Sequence, residues 1–303
     1  MQEILKQDEM LLTREIEARF GRVTQLMDED DGVAICVIAG SRGITLVTQG
    51  MSQHAMNAPP GECARAELVM HLPADWNINS RDERDLWPLH WLRLLANLPA
   101  EENTWLGWGH TVPSDEPFAS NTGFESLLLL DAFIPREQQL DGDACEITLP
   151  GNESVRLYQL YPLYPQELRC KLAHGAQALV ERLKLAKLLR PQLDIARTNL
   201  FNREVLVNWD GPDGCLATNR ILADHAPVGY CYREQPYDDE DSGWRFTAGD
   251  ESDEYMNDPC NSDVYTLNDL ANYDVDILDI LNSATPCAFA RGENGFEQLK
   301  VIL

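Results

Sequence analysis

The apolar and polar positions of this 303-residue chain fall into short elements of two different periods. Ile4, Leu5, Leu12, Ile16, Phe20, Val23 and Met27 recur at roughly helical spacing with charges between them, which predicts a helix over residues 3–27 that stops at DEDDG. VAICVIAG, a GSRG turn and ITLVTQGM read as a hairpin. In ARAELVMHLP, Ala64, Ala66, Leu68 and Met70 alternate with Arg65, Glu67, Val69 and His71, the pattern of a half-buried strand closed by Pro73. LWPLHWLRLLANLP predicts a short amphipathic helix with one proline in its first turn and another past its end.

Three strands follow in FESLLLLDAF, CEITL and VRLYQLYPLY, the first apolar enough to lie inside a sheet. PQELRCKLAHGAQALVERLKLAKLL then predicts a long helix, with Leu168, Leu172, Leu179, Leu183 and Leu188 among its apolar positions and Arg190-Pro191 at its end. Residues 191–212 lack a period and finish in the turn-rich NWDGPDG, so the chain is divided into domains at 1–190 and 213–303 with 191–212 as linker. The last part holds short strands in PVGYCYRE, WRFTAG and CAFARG and one short helix in LNDLANYDVDILDIL. Without regular βαβ alternation, the expected class is α+β in two domains, each a mixed or antiparallel sheet packed with helices.

Charge changes this picture more than composition does. A hydrophobic fraction of 44% and seven tryptophans exclude general disorder, whereas a net charge of −26 is far from balance. From residue 213 onward there are 19 acids against 5 bases, a net of −14 in 91 residues. Such a surface repels nucleic acid and anionic lipid and attracts cationic partners over long range. Neither is therefore an expected partner. Eight cysteines contain no C-x-x-C, and Cys36 within VAICVIAG reads as a small buried hydrophobe. The charged MQEILKQDEM offers no apolar signal-peptide core, and no window is apolar enough for a membrane span. The expected location is a reduced cytoplasm.

The search for chemistry is largely negative. G-x-S-x-G, H-E-x-x-H, the P-loop and G-x-G-x-x-G are all absent, and no catalytic residue, cofactor or metal is assigned. His54, His71, His90, His110 and His174 lack a carboxylate or cysteine at ligand spacing and are expected to be partly buried packing residues. Carboxylates abound in YDDEDSGWRFTAGDESDEYMND at 237–258, but general acid catalysis needs one held in an apolar pocket. A calcium loop starting at Asp238 has Glu240, Ser242 and Gly243 in place, yet puts Gly249 where the bidentate glutamate belongs. Starting at Asp250 puts Tyr255 at the glycine position. Trp244, Phe246 and Tyr255 are costly to leave solvated, so the stretch is expected to be an ordered strand between two acidic loops. Arg245 then pairs with a flanking carboxylate or points into water.

Two resemblances arise from these same blocks. ITLVTQGMS, RAELVMHLP followed by a Trp, LWPLHWLRLLANLP, GHTVP, GFESLLLLDAF and LYQLYPLYPQEL, in order over about residues 30–185, resemble the suppressor-of-fused domain. Its motif positions here are Thr48, Gly50, Met51, Arg65, Glu67, Pro73, Trp87, Gly109 and His110. They are expected to hold the fold, with Gly50 in a tight turn and Arg65/Glu67 a same-face pair. ATNRIL, VGYCYREQP, DSGWRFTAGDESDEYM and LANYDVDIL, within about 216–300, resemble a small bacterial immunity-protein domain. The resemblances imply a binding protein. For a bacterial chain they imply neutralisation of a toxin of a polymorphic or contact-dependent system, and the animal relative clamps a peptide as an added β-strand.

Two readings of function follow. The first is a non-enzymatic immunity protein whose acidic surface meets a basic, nuclease-like toxin domain. Its candidate partner-binding residues are Asp238, Asp239, Glu240, Asp241, Trp244, Arg245, Asp250, Glu251, Asp253, Glu254 and Tyr255. The second is an intracellular adaptor that sequesters an endogenous protein by strand addition. A hydrolase using the carboxylates is a third, poorer fit.

Overall fold

The computed structural model describes residues 2–27, 32–135, 143–151, 153–206, 209–222, 226–293 and 295–300. Residues 28–31 of the expected DEDDG helix stop, and Asn208 of NWDGPDG, lie outside them. The chain forms two compact units, residues 1–168 with 187–197, and residues 169–186 with 198–303. Both carry helices and sheets, an α+β arrangement.

The first unit begins with α1 (Gln2–Phe20), β1 (Gln25–Met27), β2 (Ala34–Gly40), β3 (Gly43–Gln49) and β4 (Ala66–Leu72). It continues with α2 (Glu83–Glu101), β5 (Thr111–Pro113), β6 (Ser126–Asp131), β7 (Glu146–Leu149) and β8 (Glu153–Leu163). The sheet runs β1-β2-β3-β4-β8-β6-β5, with β7 also on β8. β4 and β8 pair in parallel, Ala66 to Val69 against Arg156 to Gln159. The expected hairpin is β2–β3, and β6 is interior as its apolar run requires.

The sheet is covered on both faces, which corrects the half-buried reading of β4. Ala66, Leu68 and Met70 join a core with Trp87, Leu92 and Leu95 of α2, while Val69 packs on Leu12, Ile16 and Phe20 of α1. Alternation along a strand shows two faces, but not whether the second one is covered. The first helix is also shorter than expected. It stops at Phe20, and Met27 lies in β1, where the backbone of 25–27 pairs with Ile35 to Val37. The second helix is longer: the Asp82 side chain caps it by accepting from the Arg84 amide, one turn before the apolar run. Both prolines, Pro88 and Pro99, therefore fall inside it.

α3 (Pro165–Leu185) is the predicted long helix, broken at Gly175 and ending before Leu188. Gly175 has φ 86° and ψ 163°, a conformation essentially reserved for glycine, and it splits the apolar stripe. Leu179 and Leu183 are buried, whereas Leu172 before the break is exposed. In the second unit the Arg182 guanidinium donates to the Tyr273 carbonyl at 3.0 Å.

The second unit continues through β9 (Gly214–Thr218), α4 (Asn219–Leu222), β10 (Tyr230–Arg233), β11 (Asp241–Thr247) and α5 (Asp253–Met256). It closes with β12 (Ser262–Thr266), α6 (Leu267–Tyr273), β13 (Cys287–Gly292) and β14 (Gly295–Gln298). The order is β12-β9-β11-β10-β13-β14, with β9 and β11 parallel. One face of this sheet buries Cys215, Cys231, Trp244, Phe246 and Phe289 against Leu267, Leu270 and Ile277. The expected helix over 267–281 ends at Asp274, whose carboxylate accepts the Val228 amide and pairs with Arg291, and a 3-10 turn follows at Val275–Asp279. That tertiary grip keeps Asp274 extended, at φ −132°.

Among the histidines, His54 and His90 are exposed, so the packing role expected of all five fails for these two. They carry no burden in either core. Cys36 is fully buried as read.

Candidate protein-binding site

Seven residues of β11 divide by alternation into a core face and an outer face. Trp244 is 0% exposed, stacks on Phe246 at 5.6 Å and donates its indole N–H to the Leu281 carbonyl. It has no surface to offer a partner, so its place among the candidate contacts is corrected to a supporting one. On the opposite side Arg245 donates two bonds to Asp241, at 2.7 and 2.9 Å, and one to Glu234 at 2.8 Å. The guanidinium beside Asp241 holds its carboxyl well below the usual carboxylate range, helped by the amides of Tyr237 and Gly243.

The loop before β11 is ordered from within. Asp238 accepts the amides of Glu240 and Asp241, each at 3.0 Å, and Tyr237 donates its amide to Asp241. This loop lines a groove of about 920 Å³ together with Asp213, Glu234 and Asp269. Two exposed apolar side chains also line it. Leu216 and Val264 are cross-strand partners on β9 and β12, and they are 37% and 69% exposed. Tyr237 at the rim is 91% exposed.

The second acidic cluster does not belong to this groove. It lies past the other end of β11, whose seven residues span roughly 20 Å at about 3.3 Å each. There Asp250 pairs with Arg220 at 2.7 Å. Glu251 accepts from the Thr218 hydroxyl and from the amides of Ala248 and Gly249. Asp253 and Glu254 sit in the first turn of α5 behind the Ser252 cap, and Tyr255 is half-buried. Contiguity in sequence hid this division into two surfaces.

In the first unit, buried Glu67 accepts four hydrogen bonds. Thr48 Oγ1 donates at 2.6 Å, the Gly50 and Ser52 amides at 3.0 Å each, and the Ser52 hydroxyl at 2.7 Å. Burial raises its carboxyl from the ordinary value while these donors oppose the rise. Arg65 grips the same loop from outside, donating to the Ser52 and Gln53 carbonyls and pairing with Glu153. The expected Arg65/Glu67 pair is thus two anchors of one turn. Gly50 sits there at φ 126°, and a Cβ on it would lie 2.5 Å from the Gly32 carbonyl oxygen. Met51 and Trp87 are core residues, and the Pro73 carbonyl accepts the Trp76 amide. Gly109 and His110 exchange backbone bonds with Leu129.

Against known proteins, the sequence profile of the Suppressor of fused protein (SUFU) matches residues 29–198, more than half the chain. The chain belongs to the suppressor of fused protein family. The Immunity protein Imm33 domain matches residues 215–300. No curated protein matches the sequence. Among solved structures, a SUFU homolog from Neisseria gonorrhoeae is 14% identical with a TM-score of 0.47, over 64% of this chain and 97% of that one. The Sufu-Fu complex gives 14% identity and a TM-score of 0.47, over 65% and 92%. Drosophila Suppressor of Fused gives 15% and 0.41, over 75% and 55%.

The suppressor-of-fused region holds one feature that no sequence signal marked. Arg197 donates two bonds to buried Glu167, each at 2.7 Å, and a third to the Pro162 carbonyl. Its guanidinium carbon lies 4.8 to 5.3 Å from the ring centres of Phe124, Tyr161 and Tyr164. Arg197 falls in the passage without a period, where a lone arginine reads as solvated. Among the described residues, no group of three or more His, Cys, Asp or Glu side chains is placed to hold a metal ion, and no helix is long and apolar enough to cross a membrane.

Proposed function

We propose that this protein is a non-enzymatic immunity protein that binds and neutralises a bacterial toxin of the polymorphic or contact-dependent type, in the cytoplasm. The match of residues 215–300 to an immunity domain carries the reading. The acidic groove in that same region supports a basic, nuclease-like effector as the partner, because opposite fields steer encounter and raise the on-rate. The adaptor reading rests on strand addition at an exposed sheet edge, and no observation favours it over the first. Co-expression with an effector encoded beside the gene is the test. Protection of growth together with a co-purified complex is expected, and failure with every neighbouring effector would refute the proposal.

A further inference from the structure

The uncovered side of the second sheet and the groove at its corner indicate how such a partner is held. The row Val264, Leu216, Arg245, Tyr232 runs across four strands by register, and Val264 and Leu216 remain exposed. β12 is the edge strand beside the groove, and its free edge would be the place for an added strand. Two of its outward donors are occupied. The Val264 amide donates to the Asp263 carboxylate at 2.8 Å, and the Thr266 amide donates to Asp269 at 3.1 Å. Both lie on the register positions that alternate with the β9-facing ones, so an incoming backbone finds these donors already taken.

The groove itself presents side chains. Arg245, its cation, is already neutralised by Asp241 and Glu234. Asp213, Asp239 and Glu240 line it too, together with the exposed apolar Leu216 and Val264. Lysine and arginine combine a long apolar stem with a cationic head, and this juxtaposition matches both parts. We infer that the groove between the 237–241 loop and the β9–β12 pair docks lysine and arginine side chains of a basic protein surface, stems on Leu216 and Val264 and heads on the wall carboxylates, without strand addition. This deepens the immunity reading and rests on its basic effector.

The test uses the full chain and fluorescein-labelled octa-arginine, read by anisotropy at low salt, with an uncharged alternating Thr-Val octapeptide as the backbone-only probe. A groove variant, Asp213→Asn/Asp239→Asn/Glu240→Gln, is compared with a charge-matched variant elsewhere, Asp279→Asn/Glu293→Gln/Glu297→Gln. The groove variant is expected to lose about tenfold or more in affinity, the matched variant no more than about twofold, and Leu216→Lys to lose as much as the groove variant. Equal losses in both triple variants, no loss in the groove variant, or binding of the Thr-Val peptide would overturn the assignment. Co-expression separates the two claims. If the wild-type chain and the groove variant protect equally, the groove assignment falls and the immunity reading stands. If no neighbouring effector is neutralised while octa-arginine follows the expected pattern, the immunity reading falls and the groove stands.

Discussion

Replacing Arg197 by Met tests whether the ion pair inside the suppressor-of-fused region holds it together. The substitution keeps most of the apolar stem but leaves the Glu167 carboxylate, 0% exposed, without its cation. Removing one partner of a buried pair costs about 3–5 kcal/mol, because the stranded charge keeps its desolvation penalty. The lost contacts to the Pro162 carbonyl and to three aromatic rings act in the same direction. At about 2–4 °C per kcal/mol for a unit of this size, the melting transition should fall by roughly 6–20 °C. Arg197→Met/Glu167→Gln removes both charges and keeps an oxygen to accept the Tyr164 amide, so it should be more stable than Arg197→Met alone. Urea titration gives the free energies, and hydrogen exchange in β6 and β8 assigns the loss to this unit. A cost below about 1 kcal/mol, or purely additive effects, would refute the reasoning.

Three further outcomes are expected. Burial lowers the His71 pKa from 6.5 to about 4, so the unfolded chain takes up the proton first and stability falls as pH drops from 6.5 through 4. The loss is roughly 3 kcal/mol at most, and His71→Gln should flatten the urea midpoint over that window; an unchanged slope would contradict it. Gly50→Ala forces a side chain into φ 126° against the Gly32 carbonyl and should cost about 2–4 kcal/mol by thermal denaturation, whereas no measurable loss would remove the turn's requirement for glycine. Burial pushes the thiols of Cys36 and Cys231 up to about 12, so a disulfide reagent at mildly alkaline pH should modify exposed Cys260 first, and prompt labelling of Cys36 would count against the fold.

Sequence pattern recovered what is local. The hairpin of β2 and β3 and the alternation Trp244-Arg245-Phe246 follow from neighbours a few residues apart, and of the two places open to Arg245 it takes the carboxylate, on Asp241 four residues before it. What it missed depends on distant partners. β9 and β12 are five residues each, in polar or turn-rich surroundings, and are strands because Gly214 to Thr218 aligns with β11 on one side and β12 on the other. Asp274 ends a helix because Arg291 holds it, and Glu167 finds Arg197 thirty residues away. The groove mixes both kinds. Its loop was legible, but Leu216 and Val264 come from β9 and β12, which the pattern did not reveal.

The parallel pairing of β4 with β8 also sets an order of assembly. The strands β1 to β4 form a meander that can close as it leaves the ribosome, but Ala66 meets Arg156 only after ninety more residues have been made. β8 also carries β6 and β7, and Arg197 locks its C-terminal end through Pro162, so the sheet is completed late in synthesis. Until then β4 leaves an apolar edge unpaired, where association with other chains competes with folding. For the immunity function proposed above, the time at which this long-range pairing closes sets the earliest moment a new copy has its complete first sheet.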